Sequence, residues 1–453
     1  MEMKSEKRTT WRDYQARLKR KSDLKNLLFR LRWVVFAVCG LMVASLAIES
    51  NLKSGTSNST LTDGQAQALP IETASEYRIG KHDIQGWLSP ESLTNLEEKS
   101  FDVQVNQQHF HVDTSLDLSL QTRLLDKVRG SDAEVMGLVV LDPDSGRVLA
   151  MVGIDRDQPS SNPCLDNRFP AASIFKIVTA AAAIEQCQFT PETKMTFNGG
   201  KYTLYKSQLK NTVNRYTNTI SFRDSFAQSV NPVFGKIGAQ VGKTFLESYG
   251  EAFGFNREID FEVTLPYSTL EVNEGTYHLA EIGCGFNRTT TLTPIHGALI
   301  ASAVLNGGRL PEPTIIEQIV NENGQKIYRS TPGSAGAAIS SGTSSLLGKM
   351  MMRTISCGTC RKTFRGAAKD RVLSKLVIGG KTGSIDNQQH TRRMDWFVGF
   401  AKEKDGAGEI AVAVVVGHGK YIGTRAAEFA RYTFRNYFKE YFASTDRKNS
   451  GHG

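Results

Sequence analysis

One stretch divides this chain before any fold is considered. Trp33 to Ile48 (WVVFAVCGLMVASLAI) carries no charge over sixteen residues, and it follows a strongly basic segment. Residues 1–32 hold eleven Lys/Arg against four acids, so +7 of the formal net charge of +9 resides there. As a helix rising about 1.5 Å per residue the run spans about 24 Å, and Trp33 at the interface with a snorkelling Arg32 extends it towards the ~30 Å of a hydrocarbon core. Basic residues before the span and few after it place the N-terminus in the cytoplasm and the bulk of the chain outside it. A cleaved signal peptide is the alternative, with Ser45-Leu46-Ala47 as a small-x-small cleavage site. The length of the basic region favours a retained anchor.

The same arithmetic disposes of a nucleic-acid reading. The remaining 421 residues share a net charge of +2, so no basic face is expected. Apolar residues make up 40% and charged residues 22% of the chain. Those values lie near globular averages and exclude a disordered, collagen-like or multi-span protein.

The expected segments are a basic cytoplasmic tail (1–32), a membrane anchor (33–48), a linker and short juxtamembrane piece (49–112), a catalytic domain (113–442) and a polar tail (443–453). The linker begins with a Ser/Thr/Asn/Gly-rich tether over residues 51–68. Within the large domain, Leu116 to Val128 has helical apolar spacing. Met136–Leu141 and Val148–Val152 read as strands joined by a turn at Asp142–Gly146. Ile174–Ile184 reads as a buried helix. Val377–Gly380, Trp396–Ala401 and Ile410–Val416 read as strands, followed by a helix over Ala426–Phe442. Strands, then helices, then strands with a closing helix predict one mixed α/β domain.

Six cysteines fit export without requiring it. Cys39 lies in the apolar span. Cys164 and Cys187 bracket the buried helix and are placed to bridge in an oxidising compartment. Cys357-Gly-Thr-Cys360 is a C-x-x-C without the partners a zinc site needs. A local disulfide or plain thiols is the expectation there, and since five cysteines, Cys284 among them, lie outside the span, at least one is free unless it pairs with another chain. His109 and His111 form an H-x-H read as strand or surface residues.

Three short motifs carry chemistry. Ser173-Ile-Phe-Lys176 is one of four S-x-x-K sequences in the chain, and the one that opens a long apolar helix. A serine at a helix start is often just an N-cap. The spacing also puts serine and lysine on one helical face, with the helix N-terminus stabilising negative charge on the oxygen. A buried lysine near other cations can lose its proton and act as a base. Ser229-Val-Asn231 supplies a hydroxyl and an amide, although such a triplet is commonly a turn. Lys381-Thr-Gly383 occurs once, follows an apolar strand and precedes Ser384. It offers a cation and a hydroxyl to a carboxylate, with a glycine that admits a substrate backbone.

Taken in this order, the motifs resemble those of the penicillin-binding proteins and serine β-lactamases. Supporting matches are Gly137 to Met151, Gly283-Cys-Gly285, Leu292-Thr-Pro294, Asn306-Gly-Gly308 and Asp395-Trp-Phe-Val-Gly-Phe400. The resemblance covers residues 113–442. It implies an α+β transpeptidase fold, with a central mainly antiparallel sheet flanked by helices.

The resemblance also implies roles. Ser173 attacks the carbonyl of a D-alanyl-D-alanine bond and Lys176 takes its proton. Ser229 passes a proton to the leaving nitrogen, and Asn231 holds the peptide or Lys176. Lys381 and Thr382 bind the terminal carboxylate beside Gly383, and the amides of Ser173 and Ser384 form the oxyanion hole. Stem peptides of peptidoglycan are the implied substrates and β-lactams the implied inhibitors, and no metal or organic cofactor is implied. A membrane glycan polymerase is the family-level partner, and the outer face of a bacterial cytoplasmic membrane is the implied location. Two residues between Pro170 and Ser173 look more like class A β-lactamases, which keeps a hydrolase or D,D-carboxypeptidase open. The chain has no E-x-x-L-N segment between Asn231 and Lys381, and that gap is long for a β-lactamase. A non-catalytic penicillin-binding sensor is the third reading.

Overall fold

The computed structural model describes residues 79–450. The basic tail, the apolar span with Cys39, the tether and the last three residues lie outside the described residues. Among those described, no helix is long and apolar enough to cross a membrane.

The frame is a five-stranded sheet of β3 (Val135–Leu141), β4 (Val148–Asp155), β11 (Leu376–Asp386), β12 (Arg393–Glu403) and β13 (Glu409–His418). Its order is β11-β12-β13-β3-β4, antiparallel throughout, with β11 at one edge. The strands read as continuous apolar runs because both faces are covered. In β13, Ala411, Ala413 and Val415 join one core while Ile410, Val412, Val414 and Val416 join the other. On the second face lie α1 (Leu118–Arg129) and the C-terminal helix α8 (Ala426–Ser450). On the first face lies the hydrophobic α6 (Pro294–Leu305), capped by Thr293, whose side chain accepts from His296 N.

A helical lobe adjoins this face. It contains α2 (Lys176–Cys187), α3 (Phe222–Ala227), α4 (Asn231–Ala252), α5 (Thr276–Cys284) and α7 (Ser341–Ser356). The crossing of α4 and α5 runs through two glycines. A Cβ on Gly283 would stand 2.4 Å from Gly238 Cα, and one on Gly238 would stand 2.5 Å from Leu279 O.

Residues 79–112, expected to be a linker and juxtamembrane piece, form part of the same unit. They contain β1 (Ser100–Val105) and β2 (Gln108–Thr114), and β2 pairs with β8 (Ile316–Asn321), which pairs in turn with β9 (Lys326–Arg329). Polar residues alternate along β1 and β2 because one face is open to water, and that hides them among loop-like sequence. Lys81 Nζ donates to Pro313 O (3.0 Å) and Asp260 O (3.3 Å), fastening the segment's start. The buried carboxylate of Glu262 joins the same region: it accepts from the Thr314 hydroxyl and from Ile315 N, the latter at 3.2 Å. Burial raises its pKa above the usual carboxylate range.

At the other end, α8 continues to Ser450, eight residues beyond the predicted stop at Phe442, through a polar stretch with no helix breaker. The five described cysteines are unpaired. Cys164 is buried beside the carbonyls of Leu138 and Val152, so no bridge to Cys187 forms. The Cys357–Cys360 pair is likewise open.

Gly283→Ala tests the helix crossing. Propensity alone would favour alanine by about 1 kcal/mol, whereas overpacking costs about 1–3 kcal/mol. The thermal midpoint of the variant is expected to fall. A raised midpoint would show that the crossing has room.

Candidate active site

The segment before Ser173 is pinned from three sides. Arg168 pairs with Asp155 at the end of β4 and with Asp166 (2.9 Å). Pro170 O accepts from Trp396 Nε1 on β12 at 2.9 Å. Ala171 N donates to Thr290 O, also at 2.9 Å. A single helical turn, Ala172–Phe175, then leads into α2. Ala172 takes φ 49°, a left-handed conformation that costs a non-glycine residue about 1–2 kcal/mol. Its carbonyl faces Gly285, where a Cβ would stand 1.9 Å away. Gly285, at φ 67°, is the C-cap of α5.

Lys176 occupies the first position of α2 and has no solvent exposure. Its Nζ lies 2.7 Å from Ser173 Oγ, 2.8 Å from Asn231 Oδ1 and 2.6 Å from the Cys284 carbonyl oxygen. A neutral lysine amine has two N–H donors and one lone pair. The two carbonyl-type oxygens take the donors, which leaves the lone pair for the Ser173 hydroxyl proton. Burial lowers the Lys176 pKa to about 8. Asn231 is committed at both ends of its amide, since Nδ2 donates to Tyr202 O at 3.0 Å.

Lys381 is the second fully buried amine. It donates to Ser229 Oγ (3.0 Å) and to Thr382 O (2.8 Å). Burial, and then the charge of Lys176, push its pKa well below the ordinary lysine range. Each amine lies 5.6 Å from a phenyl ring, Lys176 over Phe234 and Lys381 over Phe226, and the two rings are 6.1 Å apart. Ser229, at φ 56°, is a second left-handed non-glycine residue, in the link between α3 and α4.

The third motif lies on the edge strand. A Cβ on Gly383 would sit 3.2 Å from Ser173 N, so β11 runs directly against the serine turn. Thr382 Oγ1 meets Thr359 Oγ1 at 2.6 Å. Ser384 Oγ accepts from Arg393 Nε at 2.9 Å, and Arg393 also pairs with Asp386 at 3.0 Å. Asp395, opposite Ser384 in the ladder, caps α8 by accepting from Ala426 N at 3.0 Å.

The structure thus forms two hydrogen-bonded groups, Ser173–Lys176–Asn231 and Ser229–Lys381, close enough for the two amines to feel each other's charge, with Thr382, Gly383 and Ser384 on the strand that carries Lys381. Sequence reading missed four contributors: the Cys284 carbonyl, the Tyr202 carbonyl, the Phe226/Phe234 pair and Thr359. The Gly283-Cys284-Gly285 signature marks the first, because its glycines permit the helix crossing and the approach to Ala172. The others have no local signal. Among the described residues no group of three or more His, Cys, Asp or Glu is placed to hold a metal ion.

Peptidoglycan D,D-transpeptidase PbpA of Mycolicibacterium smegmatis is 25% identical over 352 residues, covering 68% of this chain and 67% of the relative. Stage V sporulation protein D of Bacillus subtilis is 24% identical, covering 66% of this chain, which spans about half (49%) of that relative. The fold is similar to that of penicillin-binding protein A from M. tuberculosis in its ceftriaxone acyl-enzyme complex (22% identity, 67% of this chain and 74% of that one, TM-score 0.55). It is similar also to the D,D-transpeptidase domain of a peptidoglycan glycosyltransferase from Eggerthella lenta (23% identity, 72% and 82%, TM-score 0.59). The penicillin binding protein transpeptidase domain family matches residues 136–435, and the chain belongs to that family.

Proposed function

We propose that the chain is a serine D,D-transpeptidase that cross-links stem peptides of peptidoglycan and is acylated by β-lactams. The observation that carries the reading is the 2.7 Å contact between Ser173 Oγ and a buried Lys176 amine whose other partners are both carbonyl oxygens. In acylation, Ser173 Oγ bonds to the carbonyl carbon of the D-alanyl-D-alanine link as its proton passes to Lys176. Ser229, polarised by Lys381, delivers its proton to the departing D-alanine nitrogen as the C–N bond breaks, and the proton held by Lys176 replaces it, so that both groups return to their starting state. An amine of a second stem peptide then attacks the ester, forming the cross-link and returning the proton to Ser173. A β-lactam enters by the same attack, but its broken amide stays tethered and holds the site.

The apolar run Trp33–Ile48 serves as a single membrane span with the catalytic domain outside the cytoplasm, and a membrane glycan polymerase is the partner beside it. The charge step across residue 33 supports this reading. The full chain should remain in the membrane pellet after alkaline extraction and co-purify with such a polymerase. A chain lacking residues 1–50 should do neither, and an intact chain released by alkali would refute the anchor.

Intact mass spectrometry after brief and long exposure to benzylpenicillin should show one persistent adduct, absent from Ser173→Ala. An adduct that vanishes while opened drug accumulates would reassign the protein as a hydrolase. No adduct at any time would leave only a binding role.

The acylation rate carries a pH signature. Lys176 serves as base only without its proton, and with a pKa of about 8 the neutral fraction grows from about a tenth at pH 7 to about nine-tenths at pH 9. The rate should climb about tenfold over that interval and then level off. Lys176→Arg, which stays protonated, should lose about 10²- to 10⁴-fold. A rate that falls with rising pH between 7 and 9 would rule out Lys176 as the base.

A further inference from the structure

The turn Cys357-Gly358-Thr359-Cys360 follows α7 and bridges two arms of the site. On one side, Thr359 N donates to Ala227 O at 3.1 Å, two residues before Ser229. On the other, Thr359 Oγ1 lies 2.6 Å from Thr382 Oγ1 on β11. A Cβ on Gly358 would stand 2.2 Å from Ala227 O, so the turn approaches the Ser229 arm as closely as glycine permits. The amides of Gly358 and Cys360 both donate to Thr354 O at 3.2 Å, tying the turn to the end of α7. Cys360 is buried beneath it, whereas Thr359 itself is exposed. An exposed hydroxyl on so firmly held a backbone is directed at one other hydroxyl, that of the third motif.

We propose that Thr359 is a positioning residue that orients the Thr382 hydroxyl towards the terminal carboxylate of the substrate. The inference rests on the transpeptidase reading and extends its carboxylate site by one residue. A hydroxyl has one proton and two acceptor positions. The 2.6 Å contact between the two hydroxyls admits either direction, and if Thr359 gives the proton to Thr382 Oγ1, the Thr382 proton is left for a carboxylate oxygen. In that direction the Thr382 proton turns into the cleft. The two hydroxyls then form a chain ending on the anion, and each bond in such a chain polarises the next. Valine at 359 keeps the shape and backbone of the turn but leaves Thr382 free to rotate away. Serine at 359 keeps the donor.

The test compares acylation rate constants of wild type, Thr359→Val and Thr359→Ser with benzylpenicillin and with its methyl ester, which lacks the anionic carboxylate. Thr359→Val should slow acylation by the acid about tenfold and leave the ester within about twofold of wild type. Thr359→Ser should restore the acid rate, and all three thermal midpoints should agree. A Val variant that reacts with the acid at the wild-type rate overturns the proposal. So does one slowed equally for acid and ester, because that is a structural effect alone. Failure of the underlying reading is distinct: wild-type protein would then form no adduct with either compound.

Discussion

Two amines without solvent, Lys176 and Lys381, set the terms for everything around them. Moving an ammonium out of water costs several kcal/mol unless its surroundings repay it. The described partners of both amines are neutral oxygens: two side-chain hydroxyls, one side-chain amide and two backbone carbonyls. One of those carbonyls belongs to Cys284, the last residue of α5, where a helix presents unpaired carbonyls and the negative end of its dipole. The glycine crossing of α4 and α5 brings that helix end to Lys176. The fold therefore stabilises the charge enough to keep a lysine there, and too little to keep it always protonated.

The neighbouring thiols sharpen this balance. Burial raises the Cys284 thiol to about 11 and the Cys360 thiol to about 12. Both stay protonated through the neutral range, so neither supplies the anion that would return the lysines to their ordinary basicity. Among the described residues no carboxylate is paired with either amine, so a carboxylate arriving with the substrate adds a full negative charge beside them. Binding and proton affinity are thereby coupled: the anion that Thr382 receives also acts on the amines behind it.

Much of this was legible in the chain because it rests on local pattern. The apolar runs at 136–141, 396–401 and 410–416 announce strands, and a serine at the head of an alanine-rich helix announces the first motif. What stayed hidden depends on tertiary partners. β1 and β2 look like loop because one face is wet and their pairing partner, β8, lies about 200 residues away. Thr359 and Tyr202 act through a hydroxyl and a backbone carbonyl that any sequence could supply. Ala172 and Ser229 adopt left-handed backbone without the glycine or asparagine that usually signals it.

Those two strained residues also show where the cost of the site is met. Ala172 is held by the neighbouring Ala171–Thr290 and Pro170–Trp396 hydrogen bonds, and Ser229 by Ser229 N to Phe226 O (3.0 Å) and Val230 N to Ser225 O (2.9 Å). The restraints come from the sheet in one case and from α3 in the other. Each strained residue presents a motif serine, so relaxation at either would move an oxygen that must stay within hydrogen-bond reach of a buried amine. Rate depends on these contacts far more steeply than overall stability does, since a displacement of about 1 Å can cost 10²-fold in rate. Loosening the docking of helical lobe on sheet should therefore impair the chemistry well before it unfolds the domain.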